Sequence, residues 1–222
     1  MKINQKRLLK PLFAILIAVI FAAVPYAHAQ QTWTGNNNST DWSDPGNWSG
    51  GVPTAADDVI IPAALSFYPV LTVASFAKSI DMAAATSLTT SNFDLTVTNG
   101  ITGLGTMTSN GSTINAGAGV ATTAFTGNAS TEVIGGDFTM LTSFTGNFSS
   151  LTIGGNCTTG TTFTAGSGTI NITGNFILGT TFSGGSSVVN IGGNFTLGTS
   201  FTGASSNVHL AGNFFFRNYF YG

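Results

Sequence analysis

Charge is the scarcest property of this 222-residue chain: only 6% of its residues are Asp, Glu, Lys or Arg. Four of the six bases, Lys2, Lys6, Arg7 and Lys10, fall in the first ten residues. Beyond residue 29, Lys78 and Arg217 face eight acids, Asp41, Asp44, Asp57, Asp58, Asp81, Asp94, Glu132 and Asp137, for a net charge of −6. No basic patch can be built from two cations, which argues against nucleic acid or anionic lipid as a partner. After Asp137 the chain holds no Asp or Glu. Glycoside cleavage usually needs paired carboxylates, and general acid–base chemistry needs titratable groups within reach of each other. The ionisable side chains left there are Cys157, His209, Arg217 and two late tyrosines, Tyr219 and Tyr221. They form no Ser/His/acid set and no metal-ligand cluster. The expectation is therefore a non-enzymatic chain with no catalytic, cofactor-binding or metal residues and no cofactor. A polysaccharide-active enzyme of the parallel β-helix class is the alternative.

Cysteine is nearly absent too. Cys157 stands alone, so no internal disulfide can hold the fold together. Beyond the first 29 residues no stretch has a convincing helical period. A disordered chain would be charge-rich and poor in apolar residues. This one is rich in Phe, Ile, Val, Thr and Gly, which suit strands and tight turns.

Residues 1–29 have the three-part pattern of a secretory signal peptide: the basic start, an apolar run from Leu12 to Val24, and Ala27-His28-Ala29 as a small-x-small cleavage site before Gln30. The run is short for a membrane span and is followed by Pro25. The pattern predicts export, a secreted or cell-surface location, and no membrane insertion after cleavage.

The chain also repeats itself. Phe125, Phe144, Phe163, Phe182, Phe201 and Phe220 are spaced 19 residues apart. Gly136, Gly155, Gly174, Gly193 and Gly212 keep the same period, as do Ile134, Ile153, Ile172, Ile191 and Leu210. A polar column reads Asp137, Asn156, Asn175, Asn194, Asn213. Within one period, Val189-Asn190-Ile191, Phe195-Thr196-Leu197 and Ser200-Phe201-Thr202 alternate apolar and polar residues and are separated by Gly-rich corners. The glycines and asparagines of those corners suit turns with positive φ. This predicts an all-β parallel β-helix, or β-solenoid, with 19-residue coils and three short strands per coil. Val189, Ile191, Phe195, Leu197 and Phe201 should point inward. The Asn column should form a ladder of side-chain amides. Cys157, in the column of Phe138, Phe176, Phe195 and Phe214, should be a buried, inert thiol.

Four segments follow: the signal peptide 1–29, a Trp-rich cap module 30–62, irregular early coils 63–118, and regular coils 119–222. Trp33, Trp42 and Trp48 should plug the end of the core rather than form a sugar-stacking platform. Asp57 and Asp58, adjacent on a strand, point to opposite faces and make a poor calcium pair, so they should mark a solvated strand entry. The chain stops at Gly222 in register with Gly203, which suggests a fragment, or an end-to-end or homo-oligomer contact at the carboxyl end.

The segment Trp33-Thr34-Gly35, Asp41-Trp42, Asn47-Trp48, Gly51-Val52-Pro53 and Asp57-Asp58-Val59-Ile60-Ile61-Pro62 resembles the amino-terminal module of large secreted Bacteroidetes surface proteins, in which such a module leads into a β-solenoid. The 19-residue period is similar to the repeats of filamentous haemagglutinin-type adhesins. These resemblances imply a structural or adhesive surface protein presenting Thr, Ser and Asn rows to glycans or other cell-surface material. The pairs Ser143/Thr145, Thr162/Thr164, Thr181/Ser183 and Ser200/Thr202 raise a further alternative, an ice-binding Thr-x-Thr face. No individual ligand-binding residue can be named.

Overall fold

The computed structural model describes residues 29–147 and 150–217. The segment read as a signal peptide, apart from Ala29, and the last Phe of the column, Phe220, lie outside the described residues.

The described chain is a β-solenoid of parallel strands, with one 3-10 turn at Pro45–Asn47. Each regular coil has three strands, as in Ser150–Ile153, Cys157–Thr159 and Thr162–Thr164. Stacked coils place the strands on three faces. The first face is an eight-stranded sheet that runs from Ser75–Ala77 to Asn207–Leu210. The second and third faces merge into one 15-stranded sheet. They merge because Val120–Asn128 and Phe138–Asn147 each run through both faces as a single long strand.

Stacking brings like residues together. Strands pair in register, Phe144 with Phe163, Phe163 with Phe182 and Phe182 with Phe201. Their rings lie 4.6, 6.2 and 5.0 Å apart with interplanar angles of 28°, 10° and 12°. A second file of rings, Phe176 over Phe195 at 5.0 Å, meets the first edge-on. Each buried side chain of this size contributes roughly 1.5–3 kcal/mol, which is how a chain without disulfides closes its core. Phe201 departs from expectation. It stacks on Phe182 but is 45% exposed, because its strand, Ser200–Thr202, is the last one described on the third face.

The period is less uniform than the Phe column suggests. Thr113 pairs with Thr131 and Val120 with Phe138, steps of 18, and the 19-residue step is kept from the Ala124–Ser143 pair onward. A register shift between Thr122 and Ala124 absorbs the difference. Earlier coils vary more: Asp58 pairs with Ser79 and Ser75 with Leu95.

The glycine corners need a correction. Gly192 and Gly193 do not have positive φ. They are glycines because the preceding coil is too close. A Cβ on Gly192 would lie 2.4 Å from the carbonyl oxygen of Thr173, and one on Gly179 would lie 1.7 Å from that of Gly160. Positive φ occurs at the opposite corner, at Gly166 and Gly185. The polar column is also different in kind. Asn156 Oδ1 accepts the backbone N–H of Asn175 at 2.9 Å as well as its side-chain amide at 3.2 Å. Asn194 and Asn213 each donate their backbone N–H to the Asn one coil earlier. The ladder therefore satisfies main-chain donors at a corner where no strand bond is available. Asp137 starts it, and a carboxylate can only accept, which is all that position requires.

At the amino end Trp33, Trp42 and Trp48 are buried and pack edge-to-face at 5.0 and 4.7 Å. Trp33 Nε1 donates to Phe67 O and Trp48 Nε1 to Trp42 O. Their faces are closed to a sugar. The reading of Asp57 as a solvated entry is corrected: its carboxylate is almost buried and accepts from Thr54 N and Oγ1 at 2.8 and 2.7 Å. Asp58 pairs with Lys78 at 2.7 Å.

Candidate functional site

The third face carries two straight rows of outward hydroxyls. One row reads Ser87, Thr106, Ala124, Ser143, Thr162, Thr181, Ser200, and the other Thr89, Thr108, Thr126, Thr145, Thr164, Ser183, Thr202. Between them runs the inward column Leu88, Met107, Phe125, Phe144, Phe163, Phe182 and Phe201. Alternation along each strand forces this arrangement: an apolar residue turned into the core turns its two neighbours out. Ala124 alone interrupts the rows, and no position in them is charged. Neighbouring hydroxyls can bond to each other, as Thr181 Oγ1 and Ser200 Oγ do at 3.0 Å. The sequence pattern exposed four of these pairs. It missed Ser87/Thr89 and Thr106/Thr108 because Leu88 and Met107 replace the marker Phe and the step from Met107 to Phe125 is 18 residues, and it missed Ala124/Thr126 because Ala124 has no hydroxyl.

The other two outward faces are mixed. The second carries Asp81, Thr102, Thr158, Ile177, Thr196 and Phe215. The first carries Phe76, Asn115, Val133, Thr152, Asn171, Asn190 and His209. On this first face Asn190 Nδ2 donates to Asn171 Oδ1 at 2.8 Å, and Asn190 Oδ1 lies 2.9 Å from His209 Nδ1. With Asn190 Oδ1 as the acceptor, Nδ1 must carry the proton, which leaves Nε2 toward solvent. These three side chains line a shallow groove of about 420 Å³ with Thr173, Gly192 and Ala211. His209 thus sits in the outward column with Thr152, Asn171 and Asn190, as its spacing predicts.

Reactive groups are few. Cys157 is fully buried and apolar surroundings hold its thiol far above the usual range. Asp41 accepts from Ser43 N and Oγ, each at 2.8 Å, and from Thr72 Oγ1; these bonds, the Thr72 one foremost, keep its carboxyl below the ordinary value. It ties the cap to the next coil. Among the described residues no group of three or more His, Cys, Asp or Glu could hold a metal ion. No helix among them is long and apolar enough to cross a membrane.

Fold and surface together define a β-solenoid that presents uncharged hydroxyl and amide rows on a rigid stack. Over residues 32–213 the chain matches the family described as domain of unknown function (DUF8693), and it belongs to that family. No curated protein and no solved structure matches it.

Proposed function

We propose that this protein is an exported, non-catalytic surface solenoid whose hydroxyl rows make adhesive or structural contact with glycans or other cell-surface material. The observation that carries the reading is the pair of Ser/Thr rows running through seven successive strands of the third face with a single Ala interruption. Neutral, hydroxyl-bearing ligands exchange hydrogen bonds with such rows without the desolvation cost of a charge. The rows are held by a packed core, so little side-chain or backbone freedom is lost on contact. The Asn171, Asn190 and His209 groove offers a second set of donors and acceptors. Export rests on the amino-terminal pattern, and the adhesive role on the resemblance of the Trp-rich segment to Bacteroidetes surface proteins.

The test is binding of the purified protein to a glycan array and to insoluble polysaccharides. The comparison is a Thr145→Lys/Thr164→Lys variant on the third face against Thr158→Lys on the second. Loss of binding in the first variant only is the expected result. A blank array, or binding unaffected by both, removes the adhesive reading. The same straight, uncharged rows favour one other reading, an ice-binding face, and thermal hysteresis of the purified protein decides that case.

A further inference from the structure

One carboxyl lies inside the stack at a position where the neighbouring coils place hydrocarbon. Glu132 is fully buried. Its strand pairs it with Ile114 on one side and Leu151 on the other. Glu132 Oε1 accepts from Ser130 Oγ, the Ser109 hydroxyl also faces the carboxyl, and Oε2 has no partner. Ser109 in turn lies 3.1 Å from Ser112, whose hydroxyl meets that of Thr90. The cluster has hydroxyls enough for a neutral acid and no cation for an ionised one.

The surroundings are otherwise without charge. The strands packed around it, Thr106–Asn110, Thr113–Ala116, Val120–Asn128, Phe138–Asn147 and Ser150–Ile153, contain no ionisable side chain. Cys157, one coil further on the second face, is kept neutral by burial. Asp94 and Asp137 are exposed. Lys78 is engaged by Asp58. A buried charge without a counter-ion is costly, so the carboxyl favours its protonated form.

The position is also where the stack changes step. The coil below pairs at 18 residues, Thr113 to Thr131, and the coil above at 19, Thr131 to Ser150. The register shift between Thr122 and Ala124 lies in the same coil. We propose that the Glu132 coil is a pH-sensitive joint of the solenoid: protonated Glu132 closes it, and ionised Glu132 loosens the pairing of Thr131–Ile134 with the strands on either side.

The sign follows from linkage. Burial raises the Glu132 carboxyl from 4.5 to about 7, against the Ser130 and Ser109 hydroxyls, which lower it. Stability from the neutral group is fully present below the ordinary value and is lost as pH rises from there toward 7. With those two values, local opening should increase about tenfold between pH 6 and pH 8.

Hydrogen–deuterium exchange on the full chain, corrected for intrinsic rates at the two pH values, reads this directly. In the wild type, residues 113–116, 131–134 and 150–153 should open about tenfold more at pH 8 than at pH 6, with no such change in Glu132→Gln. Glu132→Leu, which repeats the residue at Leu151, gives the same reading should the Gln variant not fold. Flat exchange in the wild type, an undiminished response in the folded variant, or opening spread equally over all coils would overturn the joint.

Discussion

Phe163 is the ring whose loss should be felt most. It is fully buried. Its ring lies 4.6 Å from Phe144 and 6.2 Å from Phe182 within the file, and 4.8 Å from Phe176 across it. Phe163→Ala removes the buried ring and leaves a cavity that the flanking coils can fill only by sliding out of register. Such truncations cost about 3–5 kcal/mol. The lost ring–ring geometry is part of that figure. Phe201→Ala is the internal control. It removes the same ring from the same column, but Phe201 is 45% exposed and has no described ring above it. About half the burial implies about half the cost, on the order of 1.5–2.5 kcal/mol. Urea denaturation followed by far-UV circular dichroism measures both, since the loss of strand signal reports on the stack itself. Equal costs for the two variants would refute the reasoning, because only stacking distinguishes the two positions.

Gly179→Ala should be worse tolerated than any surface substitution, since its Cβ would sit 1.7 Å from Gly160 O; recovery of soluble, folded protein at wild-type yield would contradict the close-approach account. Asn156→Ala should cost about 1 kcal/mol by leaving the Asn175 N–H without its side-chain acceptor, read as a lower urea midpoint, whereas Asn156→Asp should retain most of that stability. Cys157 should not react with a thiol reagent at pH 8 in the native protein and should react at once in denaturant, because burial both shields the thiol and keeps it protonated.

The core columns were legible in the sequence because stacking at one period places chemically equal residues over each other. Phe163, Ile172 and Cys157 all sit where spacing puts them. The 18-residue steps were not legible, since a coil can lose a residue at a bend without changing the strands that mark it. The Gly corners were read for the wrong reason: spacing shows that a side chain is excluded there, but not whether a dihedral angle or a neighbouring carbonyl excludes it. Glu132 shows a different failure. Its distance from Leu151 places it in an inward column, and only the usual exposure of acids concealed the fact. The exposure of Phe201 depends on what lies above it, which its own position cannot reveal. The hydroxyl rows were half legible, because their first two pairs flank Leu88 and Met107 rather than Phe, and the third pair has Ala124 where the others have a hydroxyl.

Spin labels at Thr89, Thr108, Thr164 and Thr202 test the stacking most directly, by pulsed electron-spin distance measurement in doubly labelled variants. These residues lie in one outward row, so separation should grow by about 4.8 Å per coil whatever the sequence distance. The row places Thr164 four pairings from Thr89, and Thr202 six. The predicted separations are about 19 Å for 89/164, about 24 Å for 108/202 and about 29 Å for 89/202, each a single narrow distribution. Distances that do not rise linearly with coil number, or broad distributions, would contradict the solenoid.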